Sequence, residues 1–360
     1  MIVLLRQGAT PELARTVEGL LTRAGAAARR LVAEGRLAIE TSGPHAPLSR
    51  ELVEVLTALP GVETVLRPAE AAPKAAAAAP TVRIDGPAGP FTVGDGALTF
   101  AFGPCSVDDE DDLHRIARAA REAGAQLLRG GAFKPRSSPY SFQGVGFDGL
   151  RLLRRVADQH GLAVVSEATS EASLGAVAEH CEVVQLGARS MAVTPILKAA
   201  ARTGRPLLLK RGYGATVDEW LLAAEYLLDA GAVGVILCER GIRSFEPGTR
   251  ATLDVGGLAL ARLRTRLPMF ADPSHAAGTR PLVQPLALAA IAAGADGLIV
   301  ECHPDPARAR SDGPQALTLE ELPALVSACA QVGKALGKTL CSQRWSPTIP
   351  STRQSSASLK

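Results

Sequence analysis

The stretch that decides the fold is PLLLKRGYGATVDEWLLAAEYLLDAGAVGVILCERG, residues 206–241. Its two ends, residues 206–210 and 235–238, carry apolar runs without alternation, which is typical of parallel strands covered on both faces. Between them, residues 217–230 repeat apolar side chains with the period of a helix. Charged side chains stand where the two runs end: Lys210, Arg211, Glu239 and Arg240. We therefore predict a strand–helix–strand unit with polar chemistry at its strand ends.

The same unit repeats along the chain. Apolar runs recur at residues 98–102, 126–129, 163–166, 183–186, 206–210, 235–238, 269–271 and 298–300. Eight such strands, most of them separated by helical segments, predict a closed (β/α)8 barrel over residues 96–338. A doubly wound open sheet is the alternative, and it predicts one glycine-rich phosphate turn and few polar strand ends. Because polar residues follow nearly every run, the barrel is favoured, with its active site at the mouth that the strand ends form.

Residues 1–70 predict a separate small α/β module. Strands are expected at residues 2–5, 26–32, 37–39 and 62–66, and helices begin after Thr10 and at Ser49. Thr10 is a helix-capping residue type, and Pro11 suits the first helical position. The order βαββαβ predicts a ferredoxin-like domain.

Two further segments differ in composition from these domains. Residues 71–95 hold an alanine run between prolines, which predicts a semi-rigid linker, and then a turn-rich stretch that predicts a hairpin at the bottom of the barrel. Residues 339–360 are rich in Ser, Thr, Pro and Gln, which predicts a disordered tail.

Composition excludes several classes of partner. The 360 residues carry 39 Lys and Arg against 36 acidic residues, a net charge of +3, which gives no reason to expect nucleic acid or a membrane surface as a partner. The six scattered cysteines argue against a disulfide framework. The start of the chain lacks a signal-peptide pattern, and no apolar stretch is long enough to span a bilayer. We expect a cytoplasmic enzyme.

Eight strings carry a family resemblance, in order and spacing: GPCSV (103–107), LLRGGAFKPRSSPYSFQG (127–144), QLGARSM (185–191), LLLKRGYG (207–214), VILCERGIRSFE (235–246), DPSHAAG (272–278), VECHPDP (300–306) and SDGPQAL (311–317). The chain resembles the 3-deoxy-D-arabino-heptulosonate 7-phosphate (DAHP) synthases, in particular the type I-beta branch with a ferredoxin-like extension. The resemblance implies condensation of phosphoenolpyruvate with erythrose 4-phosphate, the first step of the shikimate pathway. It also implies a homodimer or homotetramer whose N-terminal domain binds tyrosine or phenylalanine as an effector.

The resemblance implies one divalent metal ion as cofactor, held by Cys105, His275, Glu301 and Asp312. A thiolate, an imidazole and two carboxylates suit Mn2+, Fe2+, Co2+ or Zn2+ better than Mg2+ or Ca2+. Without the resemblance, Cys105 reads as a buried strand-end thiol, His275 as a helix-cap or core histidine, and Asp312 as a turn residue.

The same resemblance assigns the substrate contacts. Those expected for phosphoenolpyruvate are Arg129, Lys134, Glu167, Arg189, Lys210 and Arg240. Those expected for erythrose 4-phosphate are Lys134, Pro135, Arg136 and Ser137. Lys134 is the expected proton donor to the aldehyde oxygen, and it joins Cys105 and His275 as a catalytic residue. Loop 133–144 is a candidate cover for the site.

Three further residues are candidates of lower weight. Asp272 and Arg243 follow strand ends and could contribute to the pocket. His303 follows Glu301 by two residues and could lie behind the metal ligands or relay protons. A packed strand histidine is the equally good alternative for His303.

Two positions depart from the family pattern. Ser190 stands where an asparagine is usual, next to a phosphate-binding arginine, and Val255-Gly256 replace part of a Ser-Ala-Val-Pro run. The first departure leaves open a paralogue that condenses phosphoenolpyruvate with another phosphorylated aldehyde, as in 3-deoxy-octulosonate 8-phosphate synthases. A non-catalytic regulatory barrel is the second alternative, and the intact metal-ligand set argues against it.

Overall fold

The computed structural model describes residues 2–33, 36–42, 50–66, 72–135 and 138–341. The chain divides into two compact units, Met1–Ala71 and Ala72–Lys360. Within the described ranges, none of the helices combines the length and the apolar character that crossing a membrane requires.

The first unit is a four-stranded antiparallel sheet with two helices. In chain order its elements are β1 (Ile2–Leu5), α1 (Pro11–Arg23), β2 (Ala27–Ala33), β3 (Arg36–Ser42), α2 (Arg50–Ala58) and β4 (Val62–Leu66). The sheet order is β2-β3-β1-β4. Thr10 caps α1, since its hydroxyl oxygen accepts a hydrogen bond from the Leu13 amide at 3.3 Å. Val3, Val17 and Ile39 are buried in the core between the sheet and the helices.

The second unit opens with a short helix, α3 (Pro73–Ala77), and an antiparallel hairpin, β5 (Thr81–Gly86) and β6 (Gly89–Gly94). The expectation of a linker over the alanine run is therefore wrong for its first half. The carboxylate of Glu225 accepts hydrogen bonds from the Lys74 and Ala75 amides at 3.0 and 2.9 Å. These bonds satisfy two donors that the first turn of a helix leaves unpaired, which stabilises a helix too short to persist alone.

Eight parallel strands follow: β7 (Ala97–Gly103), β8 (Leu127–Arg129), β9 (Ala163–Ala168), β10 (Val183–Leu186), β11 (Leu207–Lys210), β12 (Val235–Glu239), β13 (Met269–Ala271) and β14 (Gly297–Glu301). Each strand pairs with the next, and β14 pairs with β7 in parallel, which closes the sheet. The predicted barrel is confirmed, and each strand begins and ends within two residues of its predicted position.

The connecting helices are α4 (Glu110–Glu122), α5 (Phe147–Gln159), α6 (Glu171–His180), α7 (Thr194–Ala201), α8 (Val217–Asp229), α9 (Val255–Arg264), α10 (Pro273–Ala277), α11 (Val283–Ala292) and α12 (Leu322–Ala335). Most of them bury an apolar face on the barrel strands. Thr216 and Glu219 form a reciprocal capping box that starts α8. The short helix α10 lies between β13 and the main helix α11, and its position matters for the site.

The hairpin closes the end of the barrel at which the strands begin. Val82 and Phe91 of the hairpin pack on inward-facing residues of the barrel, among them Leu208 and Phe270. A Cβ on Gly234, the residue before β12, would lie 2.8 Å from Val82, so the two segments touch. Solvent therefore reaches the barrel interior from the opposite end, where the carboxyl ends of the strands meet.

The first residues of the predicted C-terminal tail form a strand. Thr339–Leu340 form strand β15, which pairs in parallel with β7. Lys338 anchors this strand, since its ammonium group donates to the Asp296 carboxylate at 2.8 Å and to the Ala295 carbonyl at 2.7 Å. Residues 342–360, the remainder of the predicted tail, lie outside the described residues.

Candidate active site at the barrel mouth

A polar cavity of about 250 Å³ lies at the carboxyl ends of the barrel strands. Its lining residues are Lys134, Pro135, Ser138, Ser141, Glu167, Gly187, Ala188, Arg189, Lys210, Tyr213, Arg240, Arg250, His275 and Asp312. They lie at or beyond the carboxyl ends of seven barrel strands, β8 to β14, as expected where barrel strand ends converge. The cavity therefore contains several of the residues that the sequence singled out.

Four side chains at the mouth bring potential metal-ligand atoms together. Cys105, His275, Glu301 and Asp312 each offer one such atom, and these atoms all lie within 4.8 Å of one another. The Cys105 Sγ is 3.1 Å from the Asp312 Oδ2. The His275 Nε2 is 3.3 Å from the Glu301 Oε1 and 3.8 Å from the Asp312 Oδ2.

This donor set fits a divalent cation. Metal–ligand bonds of about 2.0–2.3 Å place neighbouring ligand atoms roughly 3–4 Å apart, as the distances here do. Without a cation the Cys105 thiolate is disfavoured: burial, and then the charge of Glu301, raise the pKa of the Cys105 thiol to about 12. A bound cation would reverse this effect and stabilise the thiolate. Sulfur, nitrogen and oxygen donors together suit a first-row ion.

Asp272 fixes the orientation of the His275 ring. Its Oδ2 lies 2.7 Å from the His275 Nδ1, and its Oδ1 accepts from the His275 amide at 3.0 Å. Lys210 donates to the same Oδ2. Burial acts to raise the pKa of Asp272, but His275 and Lys210 outweigh it and hold this pKa well below its ordinary value. An ionised Asp272 keeps the Nδ1 of His275 protonated, so its Nε2 is available as a ligand.

Lys134 and Arg129 reach the cluster from the end of β8. The Lys134 Nζ lies 2.8 Å from the Cys105 Sγ and donates to the Cys105 carbonyl at 3.0 Å. Arg129, 5% exposed, donates to the Glu301 Oε1 at 2.7 Å. Its Nε is buried and has no hydrogen-bond partner in the described part of the protein. Arg129 thus retains an unused donor beside the cluster.

Further cationic groups surround one aromatic ring that the sequence did not single out. Tyr213 follows β11, and the Arg240, Arg243 and Arg189 guanidinium carbons lie 4.5, 5.5 and 5.8 Å from its ring centroid. A ring face attracts cations, so Tyr213 holds three arginines close together at a mouth where they would otherwise repel. The sequence signal that could have identified Tyr213 is a single aromatic residue shortly after the basic end of β11.

Glu167 lines the same cavity from the end of β9. Its Oε2 accepts a hydrogen bond from the side-chain amide nitrogen of Gln185, Nε2, at 3.0 Å. The neighbouring Gly187 leaves the room for it, since a Cβ at Gly187 would lie 2.0 Å from the Glu167 Oε1. The position of Glu167 therefore depends on a glycine in the next strand end.

We expect Gly187→Ala to displace the Glu167 carboxylate while leaving the fold intact, because the overlap falls on the end of a flexible side chain. Glu167 is expected to orient a cationic side chain or a water molecule of the cavity, so its displacement should weaken the binding of an anionic substrate. A lost hydrogen bond to a charged group is worth about 1.5–3 kcal/mol, so this affinity should fall about tenfold or more. Steady-state kinetics checks this as a rise in KM. Gly175→Ala on α6 is the matched control, since its added Cβ meets nothing within 4 Å. An equal effect of both variants would contradict the interpretation.

Three of the expected residues are not described at the cavity or the metal cluster. Arg136 and Ser137, expected for the second phosphate, are outside the described residues, although Pro135, Ser138 and Ser141 on either side line the cavity. His303 is not brought to the metal cluster. It lines a separate, smaller cavity, and its Nδ1 accepts from the Asp305 amide at 3.1 Å, in line with the packed-histidine alternative.

The two departures from the family pattern lie behind the described cavity lining. Ser190 is buried, and its amide donates to the Gly187 carbonyl at 2.9 Å. Val255 and Gly256 begin α9 directly after its cap, Asp254, which pairs with the buried Arg211 at 2.7 Å. Neither departure removes a side chain that the described lining uses.

A (β/α)8 barrel with a cationic cavity at its mouth is typical of an enzyme that acts on small anionic substrates, and the adjoining four-donor cluster suits a divalent ion. Residues 81–338 match the family described as DAHP synthetase I, and the chain belongs to this family. It is 42% identical over 337 residues to the phospho-2-dehydro-3-deoxyheptonate aldolase of Thermotoga maritima, covering 94% of this chain and 99% of that protein.

Solved structures agree with this assignment, and a second group of relatives carries the name of another aldolase. The crystal structure of the Thermotoga maritima DAHP synthase matches with a TM-score of 0.71 at 39% identity, covering 94% of this chain and 98% of that one. A truncated form of that synthase matches with a TM-score of 0.65 at 43% identity, covering 69% and 91%. A 2-dehydro-3-deoxyphosphooctonate aldolase of Nitratidesulfovibrio vulgaris is 33% identical, covering 62% of this chain and 88% of that protein.

Proposed function

We propose that this protein condenses phosphoenolpyruvate with erythrose 4-phosphate and water, giving DAHP and inorganic phosphate. The observation that carries the proposal is the barrel mouth, where one cavity adjoins both the four-donor cluster and a set of cationic side chains. The two substrates together carry three anionic groups, which such a cavity suits. Membership of the DAHP synthetase I family supports the choice of reaction.

The cationic side chains divide the binding of phosphoenolpyruvate among them. Arg189 and Arg240, held at the Tyr213 ring, offer planar forks that suit a phosphate, and Lys210 adds a compact charge. Arg129 is a further proposed contact, since it stands beside the four-donor cluster at the end of β8. We assign Glu167 to orienting one of these cations or a water molecule, since a carboxylate in direct contact with an anion would be repulsive.

The chemistry requires one carbon–carbon bond and one proton transfer at the aldehyde. The methylene carbon of phosphoenolpyruvate bonds to the aldehyde carbon, and the aldehyde oxygen takes a proton as it becomes a hydroxyl. Water adds to the former enol carbon, whose bond to the phosphate oxygen then breaks. Lys134 is the proposed proton donor, since its Nζ projects beside Cys105 and lines the cavity.

Cys105, His275, Glu301 and Asp312 are the proposed ligands of a divalent ion, Mn2+, Fe2+, Co2+ or Zn2+. When bound, that ion supplies the Lewis acidity that polarises the aldehyde carbonyl. Loop 133–144 is the proposed cover that keeps stray water out. Phe142 of this loop packs against Arg310, whose guanidinium carbon lies 3.7 Å from the ring centroid, two residues before Asp312.

The choice of aldehyde is tested by product mass. We expect phosphoenolpyruvate and erythrose 4-phosphate to give a seven-carbon product. The kcat/KM for this aldehyde should be at least about tenfold above that for a five-carbon sugar phosphate, because one carbon too many weakens transition-state binding by about 1–3 kcal/mol. A preference for the five-carbon aldehyde and an eight-carbon product would favour the paralogue. No turnover with any aldehyde, despite tight metal binding, would favour the non-catalytic barrel.

The proposed domain roles follow the two units. Residues 96–338 are the catalytic barrel, 71–95 lead into it, and residues 1–70 are a ferredoxin-like regulatory domain. The strand and helix order of the first unit and its sheet order β2-β3-β1-β4 support the ferredoxin-like assignment. The match to the Thermotoga maritima relative over 94% of this chain supports an N-terminal unit that is shared with that relative.

We expect tyrosine or phenylalanine to lower the reaction rate and raise the melting temperature. A ligand at about one hundred times its Kd stabilises a folded protein by about 2.7 kcal/mol, which is measurable as a shift in Tm. Leucine, apolar but without a ring, is the control. If neither aromatic amino acid changes the rate or Tm, the regulatory assignment fails.

Assembly and compartment are further parts of the proposal. We propose a homodimer or homotetramer, which light scattering on the purified protein tests directly. The six cysteines, all in the described part of the chain, are free thiols, which supports a reducing, cytoplasmic setting. No contact with nucleic acid or membrane is proposed.

A further inference from the structure

The two carboxylates of the four-donor cluster have the same arrangement, with one oxygen towards the cluster and one away from it. One oxygen of each faces the cluster: the Glu301 Oε1 lies 3.3 Å from the His275 Nε2, and the Asp312 Oδ2 lies 3.1 Å from the Cys105 Sγ. The other oxygen of each, Glu301 Oε2 and Asp312 Oδ1, points to different partners. Each carboxylate is thus set to give a metal ion one oxygen.

The two outer oxygens lead to a single residue, Arg250. Its Nη1 lies 3.2 Å from the Asp312 Oδ1. The same nitrogen donates to the Gln315 Oε1 at 2.9 Å, and the Gln315 Nε2 donates to the Glu301 Oε2 at 2.6 Å. Gln315 is 2% exposed, so this link between arginine and carboxylate is sealed from water.

We propose that Arg250 is a positioning residue that fixes the rotation of both carboxylate ligands, directly at Asp312 and through Gln315 at Glu301, and thereby sets the affinity for the divalent cation. The inference rests on the proposed metal site and is independent of which aldehyde reacts. Arg250 reaches the site from the segment between β12 and α9, and no motif in the sequence marked it.

The backbone at Asp312 explains why such support is needed. Asp312 has a φ of 55°, a left-handed conformation that non-glycine residues rarely adopt. Its neighbour Gly313 cannot be replaced to stiffen the loop, since a Cβ there would lie 2.1 Å from the Pro306 carbonyl oxygen. Contacts to side chains of the loop, such as that between Arg250 and Asp312, therefore add to its backbone hydrogen bonds. Without Arg250, Asp312 loses a direct partner, and Gln315 loses the contact that holds it against Glu301, so both carboxylates can turn away from the ligand geometry.

The direction in which metal affinity changes on removal of Arg250 distinguishes a positioning role from a purely electrostatic one. Arg250 is a cation beside a cation site, so Coulomb repulsion alone predicts that its removal tightens metal binding. Loss of groups that orient metal ligands typically weakens binding 10–100-fold. A fall in affinity therefore identifies positioning, because electrostatics predicts the opposite change.

The test measures Co2+ binding to the full-length, metal-stripped protein without substrates, by competition with a chelator. We expect the Kd of Arg250→Ala to rise 10–100-fold and that of Arg250→Lys to rise less, since a lysine can still pair with Asp312. Gln315→Leu should also weaken binding, and the double variant should lose less than the product of the two single losses. The thiolate-to-cobalt absorption band verifies that Co2+ occupies the Cys105 site.

Arg189→Ala is the matched control, since it removes the same charge from the same cavity lining without a described contact to either carboxylate. Its Kd should stay unchanged or fall. An unchanged Kd for Arg250→Ala, or an equal rise for Arg189→Ala, would overturn the inference. If Arg250→Ala does not fold, Arg250→Lys and Gln315→Leu decide on the same readout. Failure of the unsubstituted protein to bind Co2+ would instead refute the proposed metal site.

Discussion

Cys105→Ala should lower kcat by about a thousandfold or more with phosphoenolpyruvate and erythrose 4-phosphate. Cys105 contributes the soft donor of the four-donor cluster, and its Sγ also lies 2.8 Å from the Lys134 Nζ. Lewis-acid stabilisation of developing charge is worth several kcal/mol, and each ~1.4 kcal/mol corresponds to a factor of ten in rate. Phosphate release at saturating Mn2+ measures the loss.

Cys329→Ala is the control for this substitution. Cys329 is fully buried on α12, so it tests what loss of a buried thiol does to the protein away from the mouth. We expect it to retain most of the activity, with at most a lower Tm. If Cys105→Ala kept more than about a tenth of the activity at saturating Mn2+, the proposed ligand set would be wrong.

Lys134→Met should have the second-largest effect, a fall in kcat of about 10²–10⁴-fold, the range typical of general acid–base groups. Methionine matches much of the length of the side chain and removes its charge and proton. The substitution leaves the four ligands in place, so we expect Co2+ still to bind. Single-turnover kinetics separates this chemical defect from weaker binding of the substrates.

Lys198→Met on α7 is the matched change outside the cavity. Lys198 is exposed and lies over the Tyr226 ring at 5.7 Å from its centroid. We expect its kinetics to be unchanged. A loss in Lys134→Met that appeared wholly in KM, with kcat preserved, would leave Lys134 as a binding residue and refute its role as proton donor.

Most of the barrel could be predicted from local patterns. Continuous apolar runs mark strands covered on both faces, and this signal is carried by short stretches such as Leu207–Lys210 and Val235–Glu239. Convergence of the strand ends then follows from closure of the sheet. The prediction of Lys210, Arg240 and Glu167 at one mouth needed no long-range information beyond that.

Other features depend on contacts between distant segments, which local patterns do not encode. The alanine run reads as a linker, yet the Glu225 carboxylate, about 150 residues later, caps it as helix α3. Residues 339–340 were predicted as part of a disordered tail, yet they form β15, which the contact of Lys338 with Asp296 anchors. In each case the stabilising partner is a side chain far away in the chain.

The residues of the site also depend in part on contacts between distant segments. Cys105 and Asp312 are 207 residues apart, so their pairing was predictable from the family resemblance but not from spacing. Arg250 and Gln315 were missed because they act through the carboxylates and stand in segments without a strand-end signal. Tyr213 was missed because aromatic residues at strand ends are usually packing residues.

The most direct test of the central claim is turnover of metal-stripped protein with phosphoenolpyruvate and erythrose 4-phosphate, with and without Mn2+. Loss of the enol absorbance and release of phosphate are followed together, since one condensation consumes one enol and releases one phosphate. We expect no turnover without metal, and equal rates of enol loss and phosphate release once Mn2+ is added. Equal activity with and without metal, or phosphate release without a new seven-carbon product, would contradict the proposed function.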